Sequence, residues 1–243
     1  MIKEFIKSFC RSFGLELKQY NIQNSENLLL KRCTDYFQID LIIDVGANVG
    51  QYATAMRSVG YSKQLISFEP LAKAFGRLAT VASNDSAWEV FNLGLGSSQQ
   101  ELTINVSENL ASSSFLSVTA LSTQAEPLSQ FSGTQKVNVV RLDHFLKERI
   151  NNFENVFLKI DVQGFELEVL KGAEGILKNV KAIQLEMSFV PLYVDGPLYS
   201  DILFWIERNG FEVYSIIPGF RNLESGQLLQ ADGIFTRTRQ GSI

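Results

Sequence analysis

The chain has 243 residues, 45% of them hydrophobic and 20% charged, which suits one α/β domain with an appendage and is too apolar for a disordered chain. Lys and Arg total 22 against 26 Asp and Glu, and the formal net charge of -4 lacks the basic footprint of a nucleic-acid binder. The two cysteines, Cys10 and Cys33, stand in no metal-ligand spacing with the single histidine, His144, which argues against a zinc site or a disulfide framework and for a reducing cytoplasm.

The first predicted element is an amphipathic helix. In MIKEFIKSFCRSFGLELKQY, Ile2, Phe5, Ile6, Phe9 and Phe13 recur at helical spacing, with Lys3, Lys7 and Arg11 on the other side. Charges interrupt the apolar residues too often for a signal-peptide core, and no run of about 18 apolar residues exists in the chain. Docking of this helix on the domain or on a second subunit is the expected use, with a peripheral contact to an anionic membrane as the alternative. Residues 1–38 are therefore set apart as a helical extension, and residues 39–243 form the domain proper.

From residue 41 onward, short apolar runs alternate with segments of helical period, the pattern of βαβ units around a parallel sheet. Residues 41–45 read as the first strand, followed by a helix over about 49–59 that stops at Gly60. Residues 65–68 form the second strand, Pro70 suits the first position of the next helix, and 88–91 form the third strand. Between about 98 and 135 the rhythm breaks. ELTINVSEN alternates at period two and the Ser/Thr-rich stretch after it has no period, which predicts an inserted strand and a long loop of the lid kind. Residues 137–140 read as a strand, and a helix starts near Asp143. The second half runs strand VFLKID, helix GFELEVLKGAEGIL, strand AIQLEMSF, helix LYSDILFWIERNG and strand FEVYSI, then turns into a last strand within LLQADGIFTR. That last connection is too short for a crossover helix, so the final strand is expected antiparallel to its predecessor.

In open α/β sheets ligands bind beyond the carboxyl ends of the strands, where strand order reverses, and the first strand and its turn flank that crevice. The turn here is Asp44-Val45-Gly46-Ala47-Asn48-Val49-Gly50. Gly46 and Gly50 let the backbone pass close to a ligand, with Ala47 and Asn48 between them, and the next helix offers free N–H groups. A dinucleotide binder wants G-x-G-x-x-G; the middle glycine is missing, which leaves an NAD-linked oxidoreductase as a weaker rival. Asp44 repels a diphosphate and suits, directly or through water, the cationic amino group of S-adenosylmethionine. Glu69, ending the second strand in SFEP, is placed to accept both hydroxyls of a ribose, and equally suits the N-terminus of the next helix. Asn92 is a candidate for reading the adenine edge and just as well a turn residue.

The segments IIDVGANVGQYA, SFEP, NLGLG, RLDHF, LKIDVQGFELEVLKGA, QLEMSFVPLY and ADGIF, in this order, resemble the FkbM-type S-adenosylmethionine-dependent methyltransferases over roughly residues 39–237. The resemblance implies a class I methyltransferase fold, an α/β Rossmann-like, mostly parallel seven-stranded sheet with a C-terminal antiparallel hairpin. It also implies transfer of a methyl group, usually to a hydroxyl oxygen of a sugar, glycolipid or natural product. Ser112, Ser113 and Ser114 resemble a serine-rich segment of the family near the cofactor; by composition alone they read as well as a flexible polar loop. Residues 1–38 match nothing in the family pattern.

A hydroxyl is a poor nucleophile, so its oxygen must be held in line with the methyl and its proton accepted as charge develops. Asp161, at the end of VFLKID, opens on the crevice of Gly46 and is the first candidate for that base or for positioning the acceptor; capping the next helix or holding the cofactor's amino group are the alternatives. Glu166, in the first turn of the following helix, reads as structural. Glu186 interrupts an apolar strand, where a charge is costly unless paired or ligand-facing, so it is expected to look into the site. Asp161 and Glu186 would also suit a divalent cation, ranked below metal-free hydrogen bonding to a polyol. His144 is the second-choice base. The expected partner is a small-molecule or glycan acceptor; the rival is a non-catalytic scaffold that keeps the cofactor fold and docks through residues 1–38.

Overall fold

The computed structural model describes residues 2–238, so Met1 and residues 239–243, at the outer ends of the two predicted segments, lie outside it. Two helices lead, α1 (Ile2–Ser12) and α2 (Glu26–Tyr36). The side chain of Ser25, in extended backbone, accepts the Leu28 N–H and starts α2, whose Leu30 and Cys33 are buried against the main sheet. Then come β1 (Leu41–Val45), α3 (Gln51–Ser58), β2 (Gln64–Phe68), α4 (Ala72–Ala82) and β3 (Trp88–Phe91). The middle holds β4 (Gly94–Leu95), β5 (Gln100–Ser107), α5 (Ala120–Ala125), β6 (Phe131–Val140) and α6 (Leu142–Phe145). The chain ends in β7 (Val156–Ile160), α7 (Glu166–Gly172), β8 (Val180–Ser188), α8 (Tyr199–Arg208), β9 (Phe211–Pro218) and β10 (Gln230–Arg237).

Seven strands form one sheet in the order β3-β2-β1-β7-β8-β10-β9, and β10 runs antiparallel to both β8 and β9. This is the seven-stranded Rossmann-like arrangement with its C-terminal hairpin. Every residue of β1 and β7 is buried, as a parallel strand with both faces covered must be. Ile43, Val45, Leu158 and Ile160 pack one face, and Ile42, Leu65 and Phe157 pack the other under α2 and α3. Burying Phe68, Phe157 or Phe235 contributes on the order of 1.5–3 kcal/mol each. The chain leaves β1 toward β2 and β3 and returns on the other side at β7, so a crevice opens beyond Val45 and Ile160.

Three local departures from the sequence reading have physical causes. Helix α3 begins at Gln51 and not at 49, because Asn48 (φ 49°) and Gly50 (φ 92°) are left-handed and cannot continue into a right-handed helix. Pro70 does not open α4; the Glu69 carboxylate accepts the Leu71 N–H, which holds Leu71 extended and buried before the helix starts at Ala72. Residues 137–140 are the end of the ten-residue β6, which pairs with β5 and β4 in a separate three-stranded sheet. The first half of β6 is mostly exposed, so it carries no apolar alternation to announce it.

Candidate functional site

A cavity of about 290 Å³ lies at the strand-order reversal, at the lower end of the size range of small-molecule sites. The β1–α3 turn forms one wall. Gly46 has φ 77°, and a Cβ there would lie 1.8 Å from the Asp161 carbonyl oxygen, so the close crossing of β1 and β7 admits only glycine. The N–H groups of Gly46 and Ala47 both donate to the Phe68 carbonyl at 3.0 Å, and the Asn48 N–H donates to Glu69 Oε2 at 2.8 Å. Gly50 stands beside the cleft: its handedness starts α3, and a Cβ would meet the Trp88 ring at 2.8 Å.

Glu69 is the fixed point of this wall. Its second oxygen accepts the Leu71 N–H at 2.8 Å, and the side chain is buried yet borders the cleft. Burial pushes its carboxyl up to about 7, against the pull of the Leu71 and Asn48 amides. Each oxygen keeps a further acceptor position, as two ribose hydroxyls require. Asn92 does not border the cleft; its amide donates to the Glu69 and Pro70 carbonyls at 2.8 and 3.0 Å and so braces the bend that carries Glu69. Ser113 borders the cleft, with its hydroxyl accepting the Ser107 N–H at 3.0 Å, and Ser114 donates to the Gln163 carbonyl. The serine run is thus tied to β5 and to the loop after β7.

Beneath the cleft, strand register lines up Ser67, Asp44, Lys159 and Gln184 across four neighbouring strands. Lys159 Nζ lies 3.1 Å from Asp44 and 3.7 Å from Asp161, with the Tyr52 ring 5.4 Å away. Burial alone would favour a neutral lysine, but the Asp44 and Asp161 carboxylates outweigh it and hold the ammonium charged. Asp44 therefore meets a lysine ammonium at the position where the sequence reading put the cofactor's amino group. The sequence reading passed over Lys159; its signal was a lone lysine in the apolar run VFLKI.

Past Lys159 the cavity continues between Glu26 of α2, Tyr52, Gln184 and Asp232. Tyr52 Oη and Gln184 Oε1 are buried with no hydrogen-bond partner among the described residues, a cost of about 1–3 kcal/mol each unless a ligand meets them. Gln184 Nε2 donates to Glu26 at 3.2 Å. Burial, with Asp161 and Glu26 nearby, pushes Asp232 up to about 6.

Asp161 stands at the join of the two parts, its carboxylate 43% exposed and accepting from Gln163 Nε2 at 2.8 Å. The same amide donates to Glu186 at 3.1 Å, Gln230 donates to Glu186 at 2.6 Å, and the Tyr193 hydroxyl donates to the side-chain oxygen Oε1 of Gln163. Glu186 lies behind Gln163 and off the cleft wall; burial, then Asp161, Glu166 and Asp232, push its carboxyl well up. Glu166 is buried and accepts the Val162 and Gly164 N–H groups, so it pins the loop between β7 and α7. His144 is 74% exposed beside Asp143 and does not border the cleft. No group of three or more His, Cys, Asp and Glu suited to a metal ion occurs among the described residues. The structure thus brings Gly46, Ala47, Asn48, Glu69, Ser113 and Asp161 to one cavity, and leaves Asp44 below it, Glu186 behind it and His144 apart.

The Methyltransferase FkbM domain model matches residues 44–213, from the glycine turn to β9. The chain belongs to the FkbM methyltransferase family. Methyltransferase sdnD of Sordaria araneosa is 30% identical to this chain over 198 residues, 71% of this chain and 73% of that protein. Methyltransferase 1 of Beauveria bassiana is 26% identical over 164 residues, 61% of this chain and 66% of that one. Among solved structures, an rRNA methylase from Streptococcus thermophilus superposes with a TM-score of 0.45 at 11% identity, covering 86% of this chain and 96% of that one.

The cofactor of this FkbM methyltransferase is S-adenosylmethionine, and the residues fit it. Glu69 has two acceptor oxygens of the kind a ribose needs, the glycine turn admits close backbone approach, and the buried, unpartnered Tyr52 and Gln184 atoms offer polar partners of the kind an amino-acid end needs. No helix among the described residues is long and apolar enough to cross a membrane.

Proposed function

We propose that this methyltransferase methylates a hydroxyl oxygen on a sugar, a glycan or glycolipid, or a natural product, in the reducing cytoplasm, in keeping with the unpaired thiols of Cys10 and Cys33. The observation that carries the reading is the placement of Asp161: a half-exposed carboxylate on the cavity wall, oriented by the Gln163 amide at 2.8 Å and facing Lys159 at 3.7 Å. An oriented carboxylate is what an alcohol needs and a neutral amine does not, because the alcohol must shed its proton as the new bond forms.

Bound S-adenosylmethionine supplies the electrophilic methyl. Glu69 and the Gly46–Asn48 backbone hold the donor's nucleoside end, and Tyr52, Gln184 and Asp232 receive its polar tail. Asp161 accepts the hydroxyl proton. Lys159 and Gln163 are positioning residues that fix the Asp161 carboxylate, and Tyr193 fixes Gln163 in turn. Holding the two reactants in line is worth about 7–11 kcal/mol in favourable cases, and a general base about 10²–10⁴-fold. A scaffold that only keeps the fold has no use for the oriented carboxylate.

The test is methyl transfer from labelled S-adenosylmethionine to a panel of monosaccharides, glycolipids and amines, with products identified by mass spectrometry. An O-methylated sugar or lipid glycan is expected, with Asp161→Asn lowering kcat about 10²–10⁴-fold while S-adenosylhomocysteine affinity stays within a few-fold. An N-methylated product, or an unchanged kcat in that variant, would overturn the assignment.

A further inference from the structure

The reaction makes no use of α1, yet this helix and the segment after it carry a concentrated exposed apolar surface. Phe5, Phe9 and Phe13 are 73%, 58% and 68% exposed, Ile6 lies beside them, and Leu17 and Tyr20 extend the patch toward α2. At about 100° per residue, Phe5, Ile6 and Phe9 share an arc of about 100° with Lys3, Lys7 and Arg11 on the opposite side, and Phe13, in the turn just past the helix, packs edge-on against Phe9 with ring centroids 5.0 Å apart. Isolated exposed apolar residues are ordinary; two phenylalanines on one face of a three-turn helix, with a third packed against them just past its end, mark an interaction surface.

The charge identifies the partner. Within α1, Lys3, Lys7 and Arg11 stand against Glu4 alone, three cations to one anion, in a chain whose formal net charge is -4. Glu4 is 3.6 Å from Lys7, which leaves Lys3 and Arg11 without a carboxylate on the helix. A second copy of the helix would bring like charges together. One face of 11 residues also falls short of the roughly 800 Å² per partner that a stable protein interface buries. An anionic lipid surface satisfies both features at once, with aromatic rings entering the headgroup boundary and basic side chains reaching to the phosphates.

We propose that α1 docks the enzyme reversibly on an anionic membrane surface, lying in the interface with Phe5, Phe9 and Phe13 inserted. This does not depend on which acceptor the cleft takes. The experiment is flotation of the full chain with vesicles of phosphatidylcholine mixed with phosphatidylglycerol, and with pure phosphatidylcholine vesicles, at low and high salt. Binding to the anionic vesicles is expected, weak on the neutral ones, and reduced by salt because the attraction is screened. Phe5→Ser with Phe9→Ser should lower the bound fraction about tenfold or more, given the area each ring removes from water. Lys3→Glu with Lys7→Glu, a surface change with no core to disturb, should reduce anionic binding alone. Circular dichroism and S-adenosylhomocysteine affinity should be the same in all variants, since α1 does not border the cleft. No flotation with either vesicle, equal flotation of the phenylalanine variant, or a dimer in sedimentation velocity that this variant dissolves while the parent stays off vesicles would each overturn the proposal.

Discussion

Lys159 and Asp44 sit side by side on neighbouring parallel strands, ammonium to carboxylate at 3.1 Å, both buried beneath the cleft. Breaking such a pair from one side leaves a charge without its partner, at a cost of about 3–5 kcal/mol, whereas removing both charges together is far less damaging. Lys159→Met is therefore expected to lower the urea midpoint sharply, and Lys159→Met with Asp44→Leu to recover much of the loss. Three unfolding curves decide it; a double variant no better than the single one would mean that the pair is not what holds these strands.

Glu69 gives the second expectation. Its two oxygens already accept the Asn48 and Leu71 amides, so the carboxylate is aimed before any ligand arrives. Glu69→Gln should weaken S-adenosylhomocysteine binding by about 1.5–3 kcal/mol, the range for hydrogen bonds to a charged group, read by calorimetry. Burial raises this carboxyl to about 7, and ribose hydroxyls donate best to the ionised form. Affinity should then rise with pH through that value in the wild type and stay flat in the variant; equal affinity in both would remove Glu69 from the ribose site.

Two glycines provide a matched pair. Gly46 has φ 77° and no room, its Cβ falling 1.8 Å from the Asp161 carbonyl oxygen, while Gly76 in α4 has nothing within 4 Å. Gly46→Ala should cost at least about 1–3 kcal/mol from its handedness alone, with the clash added, and abolish donor binding. Gly76→Ala should stabilise by about 0.5–1 kcal/mol. Thermal unfolding separates them. A Gly46→Ala protein that melts like wild type would show that β1 and β7 do not cross as tightly as described.

What the sequence made legible follows from how each residue is stabilised. Strands β1 and β7 are apolar but for Asp44 and Lys159, and β10 follows a connection too short for a crossover helix, so the sheet and its antiparallel end could be read from pattern alone. Glu69 and Asp161 could be placed at the crevice because each ends a strand beside the order reversal, and both border the cavity. The parts that escaped depend on neighbours far along the chain. Lys159 has meaning only through Asp44, a strand away, and Gln163 only through Glu186 and Tyr193. Asn92 stood equally open as an adenine reader or a turn residue, and its amide is taken by the carbonyls of Glu69 and Pro70, where it braces the bend. His144 drew attention as the single histidine, and α6 carries it away from the cleft to an exposed position.

Buried acids in the cleft and beneath the loop after β7 also set how stability depends on pH. Burial raises Glu69 and Glu166 to about 7 and Asp232 to about 6, from ordinary values near 4. A carboxyl raised in the folded state binds more protons folded than unfolded between those limits, so stability falls as pH rises across that window. At about 1.4 kcal/mol per pKa unit, these groups together should make the ligand-free protein a few kcal/mol more stable near pH 5 than above pH 7. Below about pH 4 the sign reverses. Asp85, held low by the Arg57 hydrogen bond, and Asp143, where Arg141 and the Gly175 amide outweigh burial, lose those contacts on protonation. Urea midpoints at constant slope should thus peak near pH 5 and decline on both sides. Glu166→Gln should flatten the decline toward neutral pH without touching the acid limb, because Glu166 faces the loop amides of Val162 and Gly164 and no basic partner. A midpoint that climbs steadily from pH 5 to 8 would mean that these carboxyls are solvated in the folded protein, and the cleft would then be more open than its burial indicates.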